Sequence, residues 1–379
     1  IASVTATFYS ACKIAEIIKK IDKSMKVVLG GVHPSVLPEE SLKNKNIDII
    51  VRGEGEHTAY ELAIALSKKK DLKNVKGISY KDTSKNKEKI IHNEDASLIK
   101  DLNEIPMPAR HLFPLEKYRA PPDMVYRYPS FGMITSRGCP GRCIFCSSRC
   151  ISGRWYRFNS AERVINEIEF LMKKYGARQI VFFDDTFLTS KSRLNKICDE
   201  LIRRGINKKL VWFSCGKVNQ VDPQTLKKMH RAGCRVISYG IESASQKTLD
   251  LIKKDITIEQ VKDAIRWTKR AKIECRGTFI LGLPSETKKD MFNTIEFAKR
   301  LGLDRAKFSI ITPYPGTELY EMIKDRVSSN WNLYSSLIGY TEFNPVYSPK
   351  GIKPGELKAL QRKAMKEFYF RPIQIYRLI

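Results

Sequence analysis

The chain has 379 residues, a formal net charge of +27, nine cysteines and 42% hydrophobic residues. Its length suits two domains, or one barrel-sized domain with appendages. It has no run of eighteen apolar residues and no basic start followed by an apolar stretch, which argues against a membrane span and a signal peptide. An odd cysteine count without a secretion signal fits a reducing cytoplasm and a metal site better than a disulfide framework. The charge would suit an anionic partner such as nucleic acid or a membrane surface. Solvated faces explain most of it, as in Lys68-Lys69-Lys70 and Lys288-Lys289.

In chain order, Ile1 opens without a methionine inside a strand-like run, so further sequence is expected upstream. Residues 2–8 read as a short β-rich run, 11–21 as a helix, and 26–31 as a buried strand ending in Gly30-Gly31. Residues 47–51 form a second such strand, closed by Arg52-Gly-Glu-Gly-Glu56, and 57–67 are again helical. Strand and helix alternating over residues 1–75 imply a parallel sheet, with ligands expected at the strand ends. Gly30, Gly31, Gly53 and Gly55 there either let a ligand approach the backbone or make tight turns, since no GxGxxG fingerprint is present. Residues 76–129 read as a linker, with a polar hairpin-like stretch at 81–88 and proline-rich pieces at 105–109 and 120–122.

From there strand and helix repeat six times. Strands are expected at 131–136, 179–183, 210–215, 235–241, 274–281 and 305–311. Ser160, Ser190 and Asp222-Pro223 mark helix starts between them, and another helix follows Ser285. The expected fold class is α/β, with an open (β/α)6 barrel at 130–319 related to the eight-fold one. Chemistry in such barrels sits at the carboxyl ends of the strands. Those ends read Cys139 to Cys146, Asp184-Asp185, Ser214-Cys215, Glu242-Ser243, Gly282-Leu-Pro284 and Thr312-Pro-Tyr-Pro-Gly316. Residues 320–379 are a helical, aromatic-rich extension expected to cover the barrel mouth or its side.

The first strand end carries the main motif. Cys139, Cys143 and Cys146 stand in the spacing CxxxCxxC, and Gly138, Pro140 and Gly141 break helix and strand so that a loop can turn three sulfurs inward. Cubane clusters normally take four cysteines, so three would leave one iron open. A zinc site or a fully ligated electron-transfer cluster using Cys150 are the alternatives.

These residues resemble the radical S-adenosylmethionine enzymes, and more narrowly the subfamily with an amino-terminal cobalamin-binding domain. The resemblance implies that Cys139, Cys143 and Cys146 bind a 4Fe-4S cluster and that Phe145 packs near the adenine of S-adenosylmethionine. Asp184 or Asp185, in Phe183-Asp-Asp-Thr-Phe187, would meet the methionine amino group, an ammonium-type donor matched by a carboxylate. Glu242 would take the ribose hydroxyls, while Ile280 and Gly282 lie against the adenine; the alternative for one of the two aspartates is a helix cap, and for Glu242 a helix-start acid favoured by the dipole. Pro284 and Ser285 depart from the family's fifth-strand pattern, which makes Glu286 a capping acid in this reading. Residues 1–75 are similar to the later part of a cobalamin-binding Rossmann-like domain, with Thr5, Gly30, Gly31 and Gly53 as cobalamin contacts, Thr7 beside Thr5, and His33 as a turn histidine. The DxHxxG cobalt-ligand motif is absent from the sequence.

The implied activity is reductive cleavage of S-adenosylmethionine to a 5′-deoxyadenosyl radical, used for methylation, cyclisation or rearrangement of an unidentified substrate. A one-electron reductant such as a flavodoxin or ferredoxin would be the partner. The alternatives are a transfer-RNA methylthiotransferase, although only Cys12 precedes Cys139, and a non-catalytic iron–sulfur protein.

Overall fold

A computed structural model describes residues 1–82, 88–338 and 345–378. The chain divides into two compact units. One comprises Ile1–Lys100, Cys143–Arg154 and Thr312–Ser348, the other Asp101–Arg142, Trp155–Ile311 and Pro349–Ile379. The linear limits set at residues 75, 129 and 319 mark where the sequence pattern changes; the contacts group distant segments instead.

The first unit holds strands β1 (Val28–Gly30), β2 (Ile49–Val51), β3 (Ile78–Asp82) and β4 (Lys89–His92), paired in that order. β1 and β2 are parallel, as expected, and β3 and β4 extend the sheet antiparallel. Alternation along β2 sends Ile50 to one face, where it packs with Phe8, Ala11 and Ala15 of the helix Phe8–Ile21. Ile49 and Val51 go to the other face, against Leu62 and Ala65 of the helix Glu56–Ser67. Both faces are thus covered, which is why β2 is apolar throughout.

Residues 2–8 are not a strand. Only Ala2 bridges to Gly30, and Thr5–Thr7 is a 3-10 turn that runs into the helix from Phe8. The Thr7 hydroxyl accepts from the Val4 amide (3.1 Å) and donates to the Val4 carbonyl (3.2 Å), and such local bonds compete with a strand ladder. The segment expected as a linker instead supplies β3 and β4, because Ile78 and Tyr80 are buried against β2. Residues 83–87 of the hairpin-like stretch lie outside the described residues.

The second unit is built on six parallel strands: β5 (Ser130–Met133), β8 (Gln179–Phe182), β9 (Val211–Gly216), β10 (Cys234–Glu242), β11 (Glu274–Leu281) and β12 (Arg305–Ile310). Their order is β12-β11-β10-β9-β8-β5, so each strand pairs with its sequence neighbour and the sheet is open. Ser160, Ser190 and Asp222 cap the helices Ala161–Tyr175, Lys191–Arg203 and Pro223–Arg231 by accepting an amide three residues on. The expected strand 131–136 is shorter, and a second piece, β6 (Ser136–Arg137), turns off to pair antiparallel with β7 (Arg157–Phe158). That ribbon joins the two ends of the excursion that carries every cysteine of the motif.

The β12 edge is covered. The Tyr369 hydroxyl donates to the Ala306 carbonyl (2.9 Å) and accepts from its amide (3.3 Å), and Gln361 donates to the Phe308 carbonyl (2.9 Å). The helix Pro354–Tyr369 therefore covers the side of the sheet along β12. At the start of β8, Gln179 accepts from the amides of Tyr126 and Arg127 and donates to the Met124 carbonyl, which anchors the segment leading into β5. Among the described residues no helix is long and apolar enough to cross a membrane.

Candidate active site

Cys139, Cys143, Cys146 and Cys150 form no disulfide, and each is partly exposed. Gly138 takes a φ of +79° directly after β6, a conformation that favours glycine. The Gly141 amide donates to the Cys139 sulfur at 3.4 Å, and a β-carbon on Gly141 would stand only 3.3 Å from that sulfur. The Cys146 amide donates to the Cys143 carbonyl (3.3 Å), a single turn that presents those two thiols in succession. Between them Ile144 is 1% exposed, and its carbonyl accepts from the Leu319 amide at 2.9 Å. The sequence reading passed over Ile144; an isoleucine between two metal-type cysteines was the available sign of a buried anchor. Phe145 beside it is half-buried. The boundary between the two compact units falls between Arg142 and Cys143.

Among the described residues no three His, Cys, Asp or Glu side chains are gathered for a single metal ion. In a cubane each thiolate takes a different iron, so the sulfurs stand further apart than around one ion. The donor set fits such a cluster: three partly exposed thiols outside any disulfide on one loop, with a backbone amide already directed at Cys139. Cys150 is engaged elsewhere. Its thiol lies 3.4 Å from the Gly316 carbonyl, and burial pushes its pKa up. We therefore expect Cys150→Ser to keep full iron and sulfide content after reconstitution, whereas Cys139→Ser loses the cluster. Equal iron loss in the two variants would restore Cys150 as a ligand.

At the second strand end the two aspartates part company. Asp185 is exposed, whereas Asp184 is 3% exposed. One Asp184 oxygen accepts from the Thr135 amide (3.1 Å), the Thr135 hydroxyl (2.9 Å) and the Ser136 hydroxyl. These bonds draw the chain out of β5 and into β6, which explains the shortened strand. The second oxygen is buried without a hydrogen-bond partner among the described residues. Burial raises the Asp184 pKa, opposed by the Ser136 hydroxyl and the Arg193 guanidinium. Arg193 is itself buried, donating to the Thr135 carbonyl (2.9 Å), the Thr135 hydroxyl (2.6 Å) and the Asn159 carbonyl (2.9 Å). Its place was readable, since Arg193 falls on the same helix face as Leu194, Ile197 and Leu201.

Glu242 ends β10 at a φ of +69° and is 5% exposed. Its carboxylate accepts from Lys254 Nζ at 2.5 Å, and that lysine is 7% exposed. A β-carbon on Gly240 would meet the Glu242 carboxylate at 2.5 Å and the Lys254 ammonium at 2.6 Å, so the ion pair lies across the bare Gly240 α-carbon. Glu242 is therefore not merely a helix-start acid. Lys254 went unnoticed in the sequence because it sits in a charged run, Lys253-Lys254-Asp255, that reads as solvated surface.

At the fifth strand end Ile280 is half-buried while its neighbours Phe279 and Leu281 are fully buried, which places Ile280 on the face opposite the core. Gly282 has a φ of +84°, and a β-carbon there would meet Leu357 at 2.8 Å. Glu286 is not a capping acid: the helix Lys288–Arg300 is capped by Thr287. Glu286 is buried and accepts from the amides of Gly282 (3.0 Å) and Leu283 (2.9 Å) and from the Ser243 hydroxyl (3.3 Å), so it ties strand end five to strand end four. Burial pushes its pKa up to about 7.

In the first unit the cobalamin residues divide. A β-carbon on Gly31 would lie 2.4 Å from the Ser3 carbonyl, so this glycine serves the close approach of the chain's own backbone. Thr5 is buried, with its hydroxyl 3.3 Å from His33 Nδ1. Gly30 meets only ordinary contacts, and Gly53, at a φ of +71°, has open space around its missing β-carbon. His33 is more than a turn residue: it packs on Phe8 and Trp331, its Nε2 is buried without a partner among the described residues, and burial lowers its pKa to about 4. Thr5 and Gly31 are thus engaged within the chain itself.

Residues 133–298 match the radical SAM superfamily, and residues 1–63 match the B12-binding domain. An uncharacterized methyltransferase of Pyrococcus horikoshii is 40% identical over 375 residues, which covers 98% of this chain and 78% of that protein. An anaerobic magnesium-protoporphyrin IX monomethyl ester cyclase of Cereibacter sphaeroides is 29% identical over 378 residues, covering 97% of this chain and 59% of the cyclase. The solved structure of TsrM from Kitasatospora setae, a radical S-adenosylmethionine methyltransferase, has the same fold: its TM-score is 0.73 at 18% identity, over 98% of this chain and 76% of that one.

Proposed function

The chain belongs to the radical SAM superfamily, in the group that carries a B12-binding domain, and from that premise we propose that it is a methyltransferase using S-adenosylmethionine and cobalamin. The observation that carries this reading is that Cys139, just after β6, lies in the same open six-stranded unit whose further strand ends bear Asp184, Glu242 and Gly282. The 40% identical methyltransferase supports methyl transfer as the outcome.

When bound, a 4Fe-4S cluster supplies the single electron that cleaves S-adenosylmethionine, and cobalamin supplies a transferable methyl group. Cys139, Cys143 and Cys146 would hold the cluster. The unpartnered oxygen of Asp184 and the exposed carboxylate of Asp185 are the acceptors available to an ammonium-type donor. Glu242, held in a single orientation by Lys254, would take paired hydroxyls. The half-buried Ile280 offers an apolar wall to a flat ring, and the edge-covering helix Pro354–Tyr369 keeps water from the β12 backbone.

The test is anaerobic reconstitution with iron, sulfide and hydroxocobalamin, followed by S-adenosylmethionine and a strong reductant. We expect cobalamin absorbance retained after desalting, and formation of both 5′-deoxyadenosine and S-adenosylhomocysteine. A second reading, cyclisation, is supported by the match to the monomethyl ester cyclase over 97% of this chain. It predicts 5′-deoxyadenosine without S-adenosylhomocysteine. Neither product from a cluster-loaded protein would overturn both readings.

A further inference from the structure

Among the described residues six non-glycine residues have a positive φ, and three of them stand together. They are Glu242 at the end of β10, and Lys253 (+52°) and Asp255 (+54°) in the loop between the helices Gln246–Leu251 and Ile258–Arg270. Each such residue costs about 1–3 kcal/mol and persists only where its surroundings hold it.

The holding contacts are specific. Lys253 and Asp255 flank Lys254, and the reversed backbone on either side sends consecutive side chains to different partners. Lys254 goes to buried Glu242. Asp255 goes to Arg142, with its two oxygens at 3.0 and 3.5 Å from the guanidinium. The Asp255 carbonyl is held by Asn219 (3.0 Å), just beyond β9, and the Ile256 carbonyl by Gln246 (3.0 Å). Arg142 is three residues past Cys139 and next to Gly141, whose amide reaches the Cys139 sulfur.

As a stabiliser the Arg142–Asp255 pair is weak. Its side chains are 60% and 39% exposed, and such pairs are worth about 0–1 kcal/mol. Lys253 is the left-handed cap of the helix Gln246–Leu251, where the Lys254 amide donates to the Leu249 carbonyl (2.9 Å), but the left-handed backbone at Glu242 and Asp255 is not explained by so small a gain, whereas a need for fixed geometry explains it. We propose that Asp255 is a positioning residue: through Arg142 it pins the Gly138–Arg142 arm of the cysteine loop to the loop whose next residue, Lys254, fixes Glu242. The ligand Cys139 and the acid Glu242 then keep a set separation, as a cofactor held at both ends requires. The inference rests on the reading of these residues as a cluster and S-adenosylmethionine site.

The test is a double-mutant cycle of Arg142→Gln, Asp255→Asn and both together. Asparagine tolerates the left-handed backbone, so the fold is kept. Two readouts are used: hydrogen exchange of peptides covering 137–142 and 240–257, with and without the cluster, and titration of S-adenosylmethionine followed by the electron paramagnetic resonance spectrum of the reduced cluster. We expect faster exchange in both peptides, about five- to tenfold weaker S-adenosylmethionine binding in each single variant, and no further loss in the double variant. The melting temperature should fall by no more than about 2–4 °C, as for loss of an exposed pair. Native exchange and native binding in Asp255→Asn, or additive losses in the double variant, would overturn the proposal. If the native cluster-loaded protein gives no response to S-adenosylmethionine, the functional reading fails instead, and the exchange data still decide whether Asp255 acts as a pin.

Discussion

Lys254→Met is expected to lower the stability of the six-stranded unit by about 3–5 kcal/mol, the range for removing one partner of a buried ion pair. The lysine and Glu242 side chains are only 9% and 7% exposed, so the substitution leaves a carboxylate with neither its counter-charge nor water. The cost comes from that uncompensated charge. A double variant, Lys254→Met with Glu242→Gln, should therefore recover most of the loss, because replacing both members of a buried pair is often close to neutral. Urea denaturation of the native, single and double variants measures this. A single variant within about 1 kcal/mol of native would show that water reaches Glu242 and that the pair is not sealed. The double variant separates stability from function: it should fold well yet bind S-adenosylmethionine poorly, since Glu242 no longer offers a charged acceptor.

Glu286 is expected to make the fold less stable as the pH rises through neutrality. Its pKa moves from 4.5 to about 7 because burial penalises the carboxylate, so the folded chain holds a proton that the unfolded chain has released. The stabilisation from that proton is fully present below about pH 4.5 and is lost as the pH passes 7. The shift corresponds to about 3 kcal/mol. Glu286→Gln imitates the protonated form: its carbonyl can accept from the Gly282 and Leu283 amides while its NH2 group faces the Ser243 hydroxyl. The variant should match the native protein at pH 5 and exceed it at pH 8. Denaturation midpoints measured across that range decide the matter; parallel curves for the two proteins would mean that Glu286 is charged throughout. The same joint connects strand ends four and five, so S-adenosylmethionine affinity in the native protein should weaken over the same pH interval.

What could be read in advance followed chain locality. Ser160, Ser190 and Asp222 cap helices because a cap needs only the next three residues. β11 runs over 274–281 as expected, since alternating burial writes itself into the sequence. The extent of β5 was misjudged because Asp184, about fifty positions away, takes the Thr135 amide that a continuing strand would have used. Residues 2–8 look strand-like by composition, yet the Thr7 hydroxyl binds the Val4 backbone and a helix starts one residue later.

The sequence by itself determined the class of chemistry: the cysteine spacing, the six successive strands and the acids at their ends are properties of single segments. Tertiary structure alone decided which groups are available for it. Asp184 is turned into support for the cysteine loop with one oxygen left over, Cys150 is bonded to the Gly316 carbonyl, Thr5 is held by His33, and Lys254 passes from an apparent surface charge to the partner of Glu242. The physical reason is common to all four. Burial and hydrogen bonding decide whether a charged or polar group is spent on the protein or kept for a ligand, and both depend on segments that meet only when the chain folds.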